Sequence, residues 1–237
     1  MKCRSIWWFV VVLAVALIVP GVASAKSEKT GMMEDTVQVG ADLGLNIFGT
    51  IPFASGKFEG EDATFSGSGN FGPAFGVHVN GYFAREWIGH LDVGYFSQSG
   101  SADVNFDNAD LEDQEFDWVM NVFRLSIGGG RSLFSSKDTR LINPYFLVGL
   151  GLYGVYFRDQ DEDDSASGQG LGPWGLIGVD GQIMRKKNYK IVGGLQLRGD
   201  LIVASDLSMD GQEAGKETEI SLGYFPVALI VTGGVQF

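Results

Sequence analysis

The chain has 237 residues, 29 acidic against 17 basic side chains, a net charge of −12 and 45% hydrophobic content. That acidity excludes a nucleic-acid binder that works through phosphate contacts, and so much apolar material excludes a disordered chain. The 35 glycines exceed the usual ~7% without a collagen period, which points to close backbone approach and a narrow interior.

Lys2 and Arg4 form a basic head, Ile6 to Val19 is an unbroken apolar run, Pro20-Gly21 breaks it, and Ala23-Ser24-Ala25 is a small-x-small cleavage pattern. The run is shorter than the ~20 residues of a spanning helix. Residues 1–25 therefore read as a cleaved secretory signal, with an uncleaved anchor as the alternative, and 26–35 as a short N-terminal periplasmic segment. The one cysteine, Cys3, leaves with the signal. The expected mature chain then starts at Lys26 with neither a lipoprotein cysteine nor a disulfide or thiolate metal site.

From Thr36 the chain alternates with the period of two that marks strands. Val37, Val39, Ala41, Leu43, Leu45 and Ile47 oppose Gln38, Gly40, Asp42, Gly44 and Asn46. Phe71, Phe75, Val77, Val79 and Phe83 oppose Gly72, Gly76, His78 and Asn80. After a tight Arg85-Glu86 turn, Leu91, Val93 and Tyr95 oppose His90, Asp92 and Gly94. In a fourth strand Phe123, Leu125 and Ile127 oppose Arg124, Ser126 and Gly128, while Trp118-Val-Met-Asn121 reads as out of phase, suggesting a bulge. Leu150 and Leu152 oppose Gly149 and Gly151; Ile177 and Val179 oppose Gly178 and Asp180; Leu195 and Leu197 oppose Gln196, Arg198 and Asp200. The last strand sets Val227, Leu229, Val231, Gly233, Val235 and Phe237 against smaller, more polar residues. Gly72-Pro73 and Gly172-Pro173 open similar strands, read as coincidence rather than duplication.

Eight strands of roughly the ~9–11 residues that cross a bilayer tilted predict an all-β, eight-stranded antiparallel up-and-down transmembrane barrel over 36–237. Its connections alternate between short turns and four long polar loops, near 49–69, 97–115, 158–170 and 204–219. The loops carry a combined charge of −16 and the turns, with Lys190, +6. One rim is acidic and the other basic.

The secretory signal, the eight alternating strands and the closing Val235-Gln-Phe237 resemble the small outer-membrane β-barrels of Gram-negative bacteria, of the OmpA/OmpX type, with the OmpW-like barrels as the second resemblance. The resemblance implies periplasmic termini and turns, external loops, and contact with outer-membrane lipids and lipopolysaccharide. It also implies a terminal strand read by the barrel-insertion machinery, with Val235 and Phe237 as the signal. A monomer is expected. The chain stops at Phe237, so a following peptidoglycan-binding domain is not expected.

Asp42, His78, His90, Asp92, Arg124, Asp180, Arg198 and Asp200 fall on the inward set. An eight-stranded barrel is just wide enough for side chains to fill, and unpaired charges there are costly. A packed polar network is expected, with Arg124 and Arg198 partnered by Asp180, Asp200 or Asp92. A structural or surface-interaction role follows from such a plug; the alternative is a narrow channel for small hydrophobic solutes, as the OmpW-like resemblance implies. A lipid A-modifying enzyme ranks below both, since His78 and His90 are the only imidazoles and neither sits in a nucleophile motif. No cofactor or metal is expected. The acidic run Asp159–Asp164 has hard oxygen ligands but lacks the EF-hand spacing, and reads as a solvated loop tip. Phe48, Phe71, Phe83, Trp87, Tyr95, Phe116, Trp118, Tyr145, Tyr156, Trp174, Tyr189 and Tyr224 read as interfacial girdles. A soluble lipocalin-like barrel would reverse the pattern, burying its Phe and Leu.

Overall fold

The computed structural model describes residues 36–58, 61–83, 86–106, 114–133, 142–159, 165–210 and 219–237. The expected signal, residues 26–35 and most of the acidic run lie outside them. Among the described residues there are ten strands: β1 Thr36–Phe58, β2 Glu61–Gly69, β3 Gly72–Phe83, β4 Trp87–Phe106, β5 Gln114–Ser132, β6 Ile142–Asp159, β7 Ser165–Arg185, β8 Lys190–Asp200, β9 Ile202–Asp210 and β10 Glu219–Gln236. All pairings are antiparallel. The circuit runs β1-β3-β4-β5-β6-β7-β8-β10 and closes by β10 on β1. β2 continues β3, pairing with the upper parts of β1 and β4. β9 likewise continues β8, pairing with β7 and β10. Around the circumference there are eight staves, two of them interrupted. Closure leaves no unpaired edge, the condition for a sheet to sit in hydrocarbon.

The outer face carries an exposed apolar belt. On β6, Phe146, Val148, Leu150, Leu152 and Tyr156 are exposed in sequence. At ~3.3 Å per residue and a tilt of ~40° the run rises about 25 Å, the height of the apolar band on outer-membrane barrels. Among the described residues there is no helix long and apolar enough to cross a membrane; the strands do the crossing.

Above the belt the alternation inverts. On β4 the outward residues pass from Leu91, Val93 and Tyr95 to Ser97, Ser99, Ser101 and Asp103, while the buried residues pass from His90 and Asp92 to Phe96, Ala102 and Val104. β5 repeats this: Phe123 outside with Arg124 inside gives way to Asn121 outside with Val122, Met120 and Trp118 inside. Lipid selects apolar-out below and water selects apolar-in above, so the two halves of one strand carry opposite patterns. Ile51, Phe65, Phe96, Trp118, Met120, Tyr153, Ile202, Leu222 and Tyr224 belong to one buried cluster filling the upper interior.

This corrects three expectations. Trp118–Asn121 contains no bulge: the β5 register with β4 and β6 is unbroken there, and only the chemistry of the two faces changes. The long polar loops are largely strand, because β1, β2, β4, β5, β9 and β10 all run through them. The packed interior carries its charged groups in the lower half and is mainly apolar above.

Two strand breaks lie at the inversion level. β2 gives way to β3 across Asn70-Phe71, which are both exposed, so the facing parity flips. β8 gives way to β9 at Leu201, whose amide still donates to the Pro173 carbonyl at 2.9 Å. A Cβ on Gly172 would run into the Leu201 carbonyl, which gives the Gly172-Pro173 pair a local steric reason.

Candidate functional site: a charged bar across the lumen

All eight charged or imidazole residues singled out above face the interior. Asp92 on β4, Arg124 on β5 and Arg198 and Asp200 on β8 form the centre. Arg124 Nε donates to Asp92 Oδ1 at 2.8 Å, and Arg198 Nη1 to Asp92 Oδ2 at 2.7 Å. Arg198 also turns its guanidinium fork on Asp200, with Nε and Nη2 at 2.9–3.1 Å from the carboxylate. Arg124 Nη1 stands 3.6 Å from Asp200. Two guanidinium groups thus meet two carboxylates, the planar geometry of both favouring paired donors and acceptors. The group is neutral as a unit, which is how charges can be buried at all.

Neighbouring side chains complete its valences. Arg198 Nη2 donates to Ser126 Oγ at 2.8 Å, Tyr153 OH donates to Asp200 at 2.8 Å, and the Arg198 guanidinium lies 4.4 Å from the centroid of the Trp174 ring, a cation–π contact. His90 joins from below: Nε2 is 3.1 Å from Asp92 Oδ2 and Nδ1 is 2.6 Å from Asn80 Oδ1. Its ring stacks at 5.9 Å on His78, which bonds Asp42 at 2.9 Å through Nδ1.

Asp180 is not a partner of either arginine, contrary to one of the expected pairings. It lies nearer the short-turn end, where Tyr145 OH donates to it at 3.2 Å and Gln38 Nε2 reaches it at 3.5 Å. Tyr82 OH donates to Gln38 at 2.6 Å, and Gln196 Nε2 to Tyr145 OH at 2.8 Å. The lumen therefore holds two polar tiers, an ionic one and, beneath it, a largely neutral one.

Glycines make room for these groups. A Cβ on Gly40 would sit 2.5 Å from His78 Cε1, and one on Gly94 2.9 Å from Arg124 Nη2.

Tyr82, Tyr145, Tyr153 and Trp174 are members of the lumen network that pattern reading missed or misplaced. Trp118, Tyr145, Trp174 and Tyr224 were expected in the girdle but are buried inside. Parity was the available signal: Trp174 is in phase with Gly178 and Asp180, and Tyr145 with Gly149 and Gly151. Phe48, Phe71, Phe83, Trp87, Tyr156 and Tyr189 do stand exposed; the Phe116 side chain lies outside the described residues. Phe237 is exposed and pairs with Val37 through both amides, at 2.9 and 3.4 Å. Among the described residues no group of three metal-ligating side chains converges.

A closed antiparallel barrel with a lipid-facing belt and a polar lower lumen defines a small outer-membrane β-barrel. A solved structure agrees on the fold. OprG from Pseudomonas aeruginosa superposes with a TM-score of 0.60 at 15% identity, covering 87% of this chain and 98% of that one. Neisserial surface protein A gives 0.40 at 13% identity over 86% and 98%, and the N-terminal β-barrel domain of P. aeruginosa OprF gives 0.37 at 11% over 87% and 100%. No protein-family model matches the chain, and no curated protein does.

Proposed function

We propose that this protein is a water-tight outer-membrane barrel with a structural and surface-contact role, projecting a polar-faced sheet wall beyond the membrane. The observation that carries it is the Arg198–Asp92 bond, which joins β8 to β4 across the full width of the eight-stave circuit. A bar at this position, flanked by Arg124, Asp200, Tyr153 and Trp174, obstructs water and ions. The two histidines bond within the network, which supports a structural place for them rather than catalysis. Val235 and Phe237 fit the role of the insertion signal, and the expected surroundings are outer-membrane lipid and lipopolysaccharide. Planar-bilayer recording tests the reading: a silent trace from the folded protein supports it, and steady single-channel steps reject it.

A second reading is favoured by one observation, the apolar interior above the bar. Phe96, Trp118, Ile202 and Tyr224 would suit a small hydrophobic solute better than an ion. On this reading the barrel admits such solutes from its upper end. Accumulation of a hydrophobic probe in vesicles carrying the barrel, beyond that in bare vesicles, would establish it in place of the first.

A further inference from the structure

The end of the barrel with the short connections carries charge that the lumen network does not use. β7 and β8 are joined by a tight turn in which the Lys186 amide donates to the Tyr189 carbonyl at 2.9 Å. Arg185, Lys186 and Lys187 are exposed and Lys190 is half-buried beside Arg185. The stretch from Gly181 to Gly199 contains no acidic residue. Among the described residues none of the four cations has an ion-pair partner, whereas Arg131, elsewhere on the same rim, is paired with Glu86.

The strand below this turn is irregular in a telling way. The β7–β8 register slips between Gln182 and Met184, and Ile183 and Met184 are consecutive yet both exposed, at 71% and 44%. An even strand sends neighbours to opposite faces. The slip therefore builds an outward ledge of Ile183 and Met184, immediately before Arg185, Lys186 and Lys187 in the chain. Apolar residues at the belt's edge lie at the acyl boundary, and cations one residue beyond lie at the depth of the head groups.

From this juxtaposition we propose that the β7–β8 hairpin is a binding site for the anionic head group of a phospholipid in the leaflet around the short-turn end. Guanidinium and ammonium donors take the phosphodiester oxygens, while the ledge holds the upper acyl chain. A soluble anion would need no ledge, and a protein partner would need to displace lipid from it. The inference rests on membrane placement of the belt, but not on whether the lumen conducts.

The test is competition for the folded barrel between phosphatidylglycerol and phosphatidylcholine, read as retained lipid by native mass spectrometry from mixed vesicles. The wild type is expected to prefer phosphatidylglycerol by about tenfold or more, given the usual contribution of each near-surface cation. The triple variant R185Q/K186Q/K187Q is expected to fall close to parity, and E86Q/R131Q to keep the preference. Parity in the wild type, an unchanged triple variant, or an equal loss in E86Q/R131Q overturns the site. Should the triple variant not fold, wild type in ~1 M salt decides, since screening at ~3 Å removes an electrostatic preference; a preference that persists overturns the proposal. A barrel that enters neither vesicle type would instead overturn the membrane placement.

Discussion

Arg198 on β8 bonds Asp92 on β4 at 2.7 Å although the two strands lie on opposite sides of the circuit. Asp92 in turn is the one carboxylate that both arginines contact by close hydrogen bonds. Replacing it with Asn leaves two buried guanidinium groups facing Asp200 alone. Breaking a buried pair from one side costs about 3–5 kcal/mol, so D92N is expected to lower the urea midpoint in detergent strongly, followed by tryptophan fluorescence. A midpoint within error of wild type would show that the bar does not hold the lower lumen together.

Asp180 makes the contrasting case. Its contacts are with the neutral donors Tyr145, on Oδ1, and Gln38, on Oδ2, and the single oxygen of an amide keeps one of the two bonds and loses the other. D180N should therefore cost only about 1 kcal/mol, the scale of one ordinary hydrogen bond. An effect as large as that of D92N would place Asp180 inside the ionic unit after all.

Gly40 tests the fit between backbone and plug. His78 is buried and tied to Asp42, and an added Cβ would press on its Cε1 and Nε2 at 2.5 and 2.6 Å, with the Gly233 carbonyl at 3.1 Å. His78 is held by its bond to Asp42, and the Gly233 carbonyl belongs to the β10 backbone. G40A is expected to destabilise by about 1–3 kcal/mol, as overpacking usually does. Because the clash is with His78, the double variant G40A/H78A should cost less than the sum of the singles. Simple additivity in a thermal-melt cycle would mean the strain lies in the backbone.

The barrel was legible in the sequence because lipid and lumen impose opposite demands on alternate residues, and Leu150, Leu152, Gly149 and Gly151 record both. The lumen set could be read from the same parity. The pairing within it could not, since contacts such as Arg198–Asp92 join strands that are not neighbours and depend on how the sheet closes. The upper half was misread for a related reason. A rule of apolar-out, applied past Tyr95 and Phe123, makes Trp118 and Met120 look out of phase, when it is the surrounding solvent that has changed.

That change of solvent yields the last prediction. If the outward faces of β4 and β5 pass from lipid to water between Tyr95 and Ser97 and between Phe123 and Asn121, chemical access should change over the same two residues. The sequence has only Cys3, so single cysteines placed in a C3S background report alone. In lipid nanodiscs, where both ends of the barrel meet water, S101C and N121C are expected to react with a membrane-impermeant maleimide. L125C and L150C, in the belt, are expected to stay unmodified, because a thiolate does not form in hydrocarbon. W118C is expected to resist as well, since Trp118 is fully buried inside. Reaction at Leu150, or protection at Ser101, would shift the membrane boundary along the barrel and remove the account of the inverted alternation.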